Sequence, residues 1–282
     1  MENLTPEKVT QLKVKANQIR KLIIEMLEKA GSGHAAGSLG TADIFASFYF
    51  HILKHDPKNP DWEERDKLVL SNGHICPAQY AAMALSDYFP LEELWTLRKI
   101  GSRLQGHPHR TSLPGLETTS GPLGEGISQA IGMALSAKLD GKATQIYVIA
   151  SDGEQEEGNT WEAVMFAGKN RLANFTLIID RNNIQIDGQT EDVMPLEPLK
   201  DKYLSFNWNV IEADGNNIEE FVGVIEKALA EKNKPTVIIA KTIPGKGVSF
   251  MENDFRWHGK APNKDEAERA LIELKIIEKN YA

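Results

Sequence analysis

The chain has 282 residues and a formal net charge of −8 at pH 7, with 41% hydrophobic and 26% charged residues. This acidic balance argues against a nucleic-acid partner, and the absence of a long apolar stretch in the sequence argues against a membrane-spanning segment. Cys76 is the only cysteine and the first residues lack a signal-peptide pattern, so we expect a cytoplasmic protein without disulfides.

The spacing of apolar residues predicts alternating helices and strands. A first long helix begins at Thr5-Pro6-Glu7, a typical capping sequence, and ends at Gly31. Further helices are predicted at 41–53, 76–84, 91–97, 127–139, 159–171, 218–230 and 265–279, and strands at 67–70, 146–150, 175–179, 209–213 and 235–240. This alternation predicts an α/β fold with a doubly wound, mostly parallel sheet and helices on both of its faces.

The stretch from Gln145 to Gly188 contains the strongest functional signal. Asp152 and Asn182 each follow a predicted strand and are 182 − 152 = 30 residues apart, about the length of one β-α-β crossover. If the two strands are neighbours, both side chains lie at the edge of the sheet where ligands bind. A carboxylate and an amide suit Mg²⁺ that also takes phosphate oxygens. Alternatively, each is an ordinary turn residue.

Several loops combine glycine with histidine or with other glycines. Histidines follow glycine in Gly33-His34, Gly73-His74 and Gly106-His107, and His258 lies in a late loop. The segment 119–126 places spaced glycines before a helix, where backbone N–H groups can bind a diphosphate. It is not a Walker loop, because no Lys-Ser/Thr follows, and no strand precedes it as in a Rossmann fingerprint. A single histidine in any of these loops is usually only a surface residue.

Together the motifs resemble the transketolase family, in family order from about residue 10 to residue 260. The stretch resembles the thiamine-diphosphate motif, in which Asp-Gly follows one strand and Asn the next, and it closes with the family-like sequence IQIDG. The Gly-His-Pro at 106–108 and the Gly-Pro-Leu-Gly at 121–124 also match. Two departures are visible. Ser151 replaces the first glycine of the usual Gly-Asp-Gly, and Ala35-Ala36 replaces a common Pro-Gly.

The resemblance implies roles for particular residues. It implies that Mg²⁺, or Ca²⁺ or Mn²⁺ in its place, is held by Asp152, Asn182 and the carbonyl of Ile184. It implies that His34, His107 and His258 face the substrate and share proton transfers. Glu157 resembles the family glutamate at the cofactor and subunit interface. Residues expected to contact thiamine diphosphate are His74, Gly121, Pro122, Leu123, Gly124, Gly153, Glu157 and Asn182.

The resemblance also implies an incomplete enzyme. Residues 1–282 correspond to the diphosphate-binding domain alone, without the pyrimidine-binding and C-terminal domains of a whole transketolase. We therefore expect the N-terminal subunit of a split transketolase, with a partner chain that carries the activating glutamate in an α₂β₂ heterotetramer. The implied reaction moves a two-carbon ketol unit from a ketose to an aldose, as in pentose phosphate metabolism. The sugar carries a phosphate or another anion such as a sulfonate.

Two other interpretations remain open. The chain could be the α-chain of a different thiamine-diphosphate enzyme, although the Gly-His-Pro and Gly-Pro-Leu-Gly loops argue against that. It could also be a non-catalytic cofactor-binding or regulatory subunit. The presence of Asp152, Asn182 and four loop histidines argues against this second interpretation, but only weakly.

Overall fold

A computed structural model describes residues 3–279, and a five-stranded parallel sheet lies at its centre. The strand order is β1-β2-β3-β7-β6, and every neighbouring pair is parallel. A separate two-residue hairpin, β4 with β5, is antiparallel. The strands are β1 (Lys67–Leu70), β2 (Ile146–Ser151), β3 (Phe175–Arg181), β4 (Ile184–Gln185), β5 (Gly188–Gln189), β6 (Asn209–Asp214) and β7 (Thr236–Lys241). All five predicted strands are confirmed to within two residues at each end.

The α-helices of the described chain are α1 (Pro6–Ala30), α2 (Ala35–Gly40), α3 (Ala42–Ser47), α4 (Cys76–Leu85), α5 (Glu125–Leu139), α6 (Gly158–Asn170), α7 (Thr190–Val193), α8 (Leu199–Ser205), α9 (Ile218–Ala230) and α10 (Lys264–Lys279). A π-helical turn, Phe48–Ile52, follows α3. Turns of 3₁₀-helix occur at Gly73–Ile75, Leu91–Thr96, Gly153–Glu156 and Phe255–Trp257. No helix within residues 3–279 is both long enough and apolar enough to cross a membrane.

The first helix forms where its end signals predict. Thr5 caps α1, since its hydroxyl oxygen accepts a hydrogen bond from the N–H of Lys8 at 3.2 Å. Gly31 ends the helix in the left-handed region, with φ at 65°. The buried stripe between these ends includes Leu12, Ile19 and Ile23, which form part of the larger hydrophobic core.

Two helical predictions differ from the structure. The segment predicted as one helix from 41 to 53 forms α3 and then changes to the π-helical turn Phe48–Ile52. Before it, the Thr41 hydroxyl donates to the carbonyl of Gly37 at 2.9 Å, where α2 ends and α3 begins. Residues 35–40, which follow His34 and have no predicted element, form α2. The predicted helix at 91–97 is a 3₁₀ helix, Leu91–Thr96, and α8 has no predicted counterpart.

Helices cover both faces of the sheet, which confirms the doubly wound fold. Alternate residues of β2 belong to different cores: Tyr147 and Ile149 join the core that contains α1 and α9, whereas Val148 and Ala150 join the core that contains α5 and α6. The chain places β6 at the sheet edge and returns through α9 to β7. The step from β6 to β7 runs across the sheet in the opposite sense to the step from β2 to β3. Because both crossovers are right-handed, α9 and α6 cover opposite faces of the sheet.

Candidate active site

A cleft of about 410 Å³ lies at the carboxyl ends of β2 and β3. Residues that are far apart in sequence meet there, including all four predicted histidines and the metal-site residues Asp152 and Ile184. The cleft is lined by His34, His74, His107, Gly121, Leu123, Ser151, Asp152, Gly153, Glu156, Glu157, Ile184, Gln185, Ile186, Asp187 and His258. Three other predicted site residues, Pro122, Gly124 and Asn182, are not among the lining residues in the described chain.

Asp152 is almost fully buried, and its two oxygens have different surroundings. Its Oδ2 atom accepts hydrogen bonds from Arg181 Nη1 at 3.1 Å, from the N–H of Asn183 at 2.8 Å and from the hydroxyl of Thr190 at 3.3 Å. Its Oδ1 atom accepts only the N–H of Gly153, at 2.9 Å, within the described residues. Burial raises the pKa of Asp152 to about 6, although Arg181 opposes this shift. Oδ1 is therefore the oxygen with capacity to bind a cation.

Asn182 directly follows β3 and precedes Asn183, which contacts Asp152. Two hydrogen bonds hold its side-chain amide in place. Its Nδ2 donates to Asp180 Oδ2 at 2.8 Å, and its Oδ1 accepts the N–H of Ile184 at 3.0 Å. Asp180 is fully buried and also accepts a hydrogen bond from Thr242. Burial raises the pKa of Asp180 to about 7, against the lowering effect of that hydrogen bond. These contacts fix which way the Asn182 amide points.

Glu154 is a site residue that sequence reasoning missed. It is fully buried, and its Oε1 accepts hydrogen bonds from Ser71 Oγ at 2.5 Å and from the N–H of Gly124 at 2.8 Å. Its Oε2 accepts the N–H of Ser151 at 2.8 Å. Burial raises the pKa of Glu154, while these three donors lower it. One carboxylate thus joins the loop after β1, the turn after β2 and the glycine loop before α5.

The serine that replaces the usual first glycine takes part in the same network. Ser151 ends β2, and its Oγ accepts the N–H of Glu154 at 3.3 Å. The Cβ at this position is therefore accommodated, and the hydroxyl helps to close the turn. No signal in the sequence distinguishes Glu154 from the nearby Glu156 and Glu157, because only the 3₁₀ turn at Gly153–Glu156 directs the first of them inward.

The chemistry of these residues fits a divalent cation. Three buried carboxyl groups, Asp152, Glu154 and Asp180, share this edge of the sheet with one buried guanidinium, that of Arg181. Arg181 also pairs with Glu191 at 2.5 Å, so its single positive charge serves both Asp152 and Glu191. Among residues 3–279, no three His, Cys, Asp or Glu side chains are grouped so that they could hold a metal ion. A site here must use amide and backbone oxygens, which are hard ligands that suit Mg²⁺.

The glycines at the cleft leave room for a phosphate group. A Cβ built on Gly121 or on Gly153 would meet no atom within 4 Å, so both backbones border open space. Gly121 has φ at 154°, a conformation that favours glycine. Gly124 starts α5 with φ at 79°, and a Cβ there would lie 2.2 Å from Asn159 Oδ1. The glycine loop thus borders open space at Gly121 and is tightly packed against α6 at Gly124.

The four histidines form a neutral cluster. The ring centres of His34 and His74 are 4.8 Å apart, and His258 lies 5.7 Å and 5.3 Å from them. Burial lowers the pKa of His34 to about 4, helped by His258, Arg98 and His107. Burial also lowers the pKa values of His74, His107 and His258. The Nδ1 atoms of His34 and His258 are buried and have no hydrogen-bond partner in the described chain.

Comparison with known proteins identifies the family. Residues 11–276 match the family model described as the transketolase thiamine diphosphate binding domain. The chain belongs to the transketolase family. A 6-deoxy-6-sulfo-D-fructose transketolase subunit, SqwG, from Clostridium sp. (strain MSTE9) is 45% identical over 268 residues, covering 95% of this chain and 98% of its own length. An apulose-4-phosphate transketolase subunit from Phocaeicola vulgatus is 37% identical, and the match covers 94% of both chains.

The fold agrees with a solved transketolase. The crystal structure of the enzyme from Campylobacter jejuni superimposes with a TM-score of 0.89 at 33% identity, covering 99% of this chain but only 46% of that chain. The chain therefore spans about half the length of this enzyme and nearly the whole length of the subunit relatives. The predictions of an N-terminal transketolase subunit, of the thiamine-diphosphate-binding α/β fold and of a transferase are confirmed. The roles of individual site residues stay predictions.

Proposed function

We propose that this chain is the diphosphate-binding subunit of a split transketolase, with residues 1–282 forming that single domain. The meeting of Asp152 and four histidines in one cleft is the observation that carries the proposal. The subunit relatives, which this chain matches over almost their whole length, support the split arrangement. The four histidines line the cleft and have lowered pKa values, which favours a catalytic subunit over the non-catalytic alternative.

In this proposal, Asp152 Oδ1, the Asn182 amide and the Ile184 carbonyl would hold Mg²⁺, which would supply positive charge for the cofactor diphosphate, and the glycine loop would offer backbone N–H groups to the same diphosphate. Thiamine diphosphate, when bound, supplies the electron sink for cleavage of the ketose. His34, His107 and His258 bind the carbonyl and hydroxyl oxygens of the sugar and move protons at those oxygens. Neutral imidazole suits these tasks because one ring nitrogen donates while the other accepts.

The remaining part of the active site belongs to a partner chain in this proposal. The partner carries the pyrimidine-binding domain, the activating glutamate and the C-terminal domain, and two copies of each chain form the assembly. Glu157 is exposed beside the cleft, as expected of a residue that meets the partner. The single, buried cysteine favours the reducing cytoplasm as the compartment.

The proposed substrate class rests on the related subunits. The lining of the cleft contains Asp152, Glu156, Glu157 and Asp187 and, within the described residues, no lysine or arginine. This acidic edge suits a metal ion. In this proposal, basic groups on the partner bind the anionic end of the sugar. The related subunits are named for a sulfonated and for a phosphorylated sugar. We therefore propose a ketose donor with an anionic terminal group, either phosphate or sulfonate.

A reconstituted complex tests this function. The chain is captured from its native lysate, the co-purifying subunit is identified by mass spectrometry, and the purified pair is assayed for ketol transfer. Asp152→Asn is expected to weaken Mg²⁺-dependent binding of thiamine diphosphate at least about 100-fold, because it removes a charged metal ligand. Asp187→Asn, which changes an exposed carboxylate of the same cleft, is the matched control. Unchanged cofactor binding in Asp152→Asn would refute the metal site.

A further inference from the structure

Arg98 lies where two of the histidine loops approach each other. It follows the 3₁₀ helix Leu91–Thr96, and its own backbone is in the left-handed region with φ at 60°. Its N–H donates to the carbonyl of Leu104 at 2.9 Å, which closes a turn just before the Gly106-His107 loop. An arginine in this backbone conformation is uncommon and indicates that the surroundings hold it there.

The Arg98 side chain runs along the glycines that directly precede His34 and His107. A Cβ built on Gly106 would lie 2.7 Å from the Nε and Cζ atoms of Arg98, so the guanidinium packs against that backbone. Its Nη2 also donates to the Gly106 carbonyl at 3.5 Å. A Cβ on Gly33 would lie 3.8 Å from Arg98 Nε. The Arg98 side chain therefore packs against the Gly106 backbone and lies close to Gly33.

The charge of Arg98 acts on the same two histidines. Arg98 is exposed, and its guanidinium has no carboxylate partner among the ion pairs of residues 3–279. After burial, Arg98 contributes to the lowered pKa of His107, and it acts on the pKa of His34 together with His258 and His107. The ring of His74 is a further titratable group beside His34.

We propose that Arg98 is a positioning residue that lies between the Gly33-His34 and Gly106-His107 loops and sets their separation. Arg98 does not line the cleft in the described chain, so it acts through the two histidines and not by contact with the sugar. This inference rests on the proposed function, in which those histidines bind the substrate. It extends that function by naming the residue that keeps the two histidine loops at a fixed separation.

The first test uses the full-length chain alone and needs no activity. The ring protons of His34 and His107 are titrated by NMR in wild type, Arg98→Met, Arg98→Lys and the control Arg103→Met. Arg103 lies in the same irregular segment but pairs with Glu93 at 2.7 Å. Both histidine pKa values are expected to rise in Arg98→Met, because removal of a cation favours the imidazolium. They should stay near wild type in Arg98→Lys and in the control.

The second test measures turnover in the complex with the partner subunit. Arg98→Met is expected to lower kcat about tenfold to hundredfold, since small displacements of binding groups have effects of this size, and Arg98→Lys should recover part of the loss. Unchanged histidine pKa values in Arg98→Met overturn the inference. If the complex lacks transketolase activity, the proposed function fails but the titration still decides the role of Arg98. If Arg98→Met does not fold, Arg98→Gln serves as the neutral variant.

Discussion

Away from the cleft, two buried carboxylates each have a guanidinium of their own. Arg20 Nη2 lies 2.5 Å from Asp43 Oδ2 and joins α1 to α3. Arg65 binds Glu117 through two nitrogens and links the segment before β1 to the long loop before α5. These charges are balanced within the chain, so each pair can be retained for structure alone.

The edge of the sheet at the cleft is different. Asp152, Glu154 and Asp180 are all buried there, and among the ion pairs of the described residues only Asp152 has a guanidinium partner, that of Arg181. The pKa values of all three carboxyls are raised, chiefly by burial. Burial of ionised carboxylates without enough cations is unfavourable, so such a group either takes up a proton or needs a cation beside it. The comparison teaches that the charges of the structural pairs are balanced within the chain, whereas those of the buried carboxyls at the cleft are not. Three experiments test this distinction.

The largest effect is expected from breaking a balanced pair. Arg65→Met leaves Glu117 buried beside only Lys67, whose Nζ is 3.8 Å away, and should lower the free energy of unfolding by about 3–5 kcal/mol. Lys13→Met removes an exposed pair with Glu219 and should cost no more than about 1 kcal/mol. Denaturant titration measures both. A loss of less than about 1 kcal/mol in Arg65→Met would mean that the pair contributes little.

The second experiment concerns Asp180, whose folded pKa of about 7 lies above the ordinary value of 3.8. A raised carboxyl pKa stabilises the fold at low pH, and this contribution is lost as pH rises through the folded value. Asp180→Asn imitates the protonated carboxyl at every pH. In metal-free buffer, the stability of Asp180→Asn relative to wild type should therefore increase by about 3 kcal/mol between pH 5 and pH 8. A difference that is constant with pH would show that Asp180 is ionised throughout.

The smallest effect is expected at Glu154. Glutamine has one acceptor oxygen where the carboxylate binds three donors, so Glu154→Gln leaves at least one buried donor unpaired and should cost about 1–3 kcal/mol of stability. Because Gly124 is one of these donors, Mg²⁺-dependent cofactor affinity should also fall, by roughly tenfold. Glu156→Gln, at the half-buried neighbour, is the control for calorimetric titration. Equal affinities in the two variants would remove Glu154 from the site.

The sequence predicts the strands well for a physical reason. A parallel strand that is covered on both faces is a short continuous apolar run, as in β2, β3 and β7, and such runs are easy to recognise. The order of the strands is not visible in the same pattern. Nothing in the apolar residues of β7 shows that it lies between β3 and β6, because that placement depends on which helix covers which face.

The site divides in a similar way. Asp152 and the loop histidines could be found because they stand in ordered motifs that resemble a known family, and the structure brings them into one cleft. Glu154, Arg181 and Arg98 could not be found, because their contacts depend on where the fold directs each side chain, from a turn, from the end of β3 and from an irregular segment, respectively. An acid or an arginine in a polar loop has the same appearance whether it is buried or solvated.

The position of β7 has a consequence for how the protein is made. β7 lies between β3 and β6, and β6 pairs only with β7 within the described sheet. A ribosome releases β6 before β7, so during synthesis β6 has no strand to pair with and β3 presents an open apolar edge. Such edges favour aggregation of the nascent chain. His258 follows β7, so the cleft is completed only after this edge has closed, and a chaperone that shields β3 would act before the active site exists.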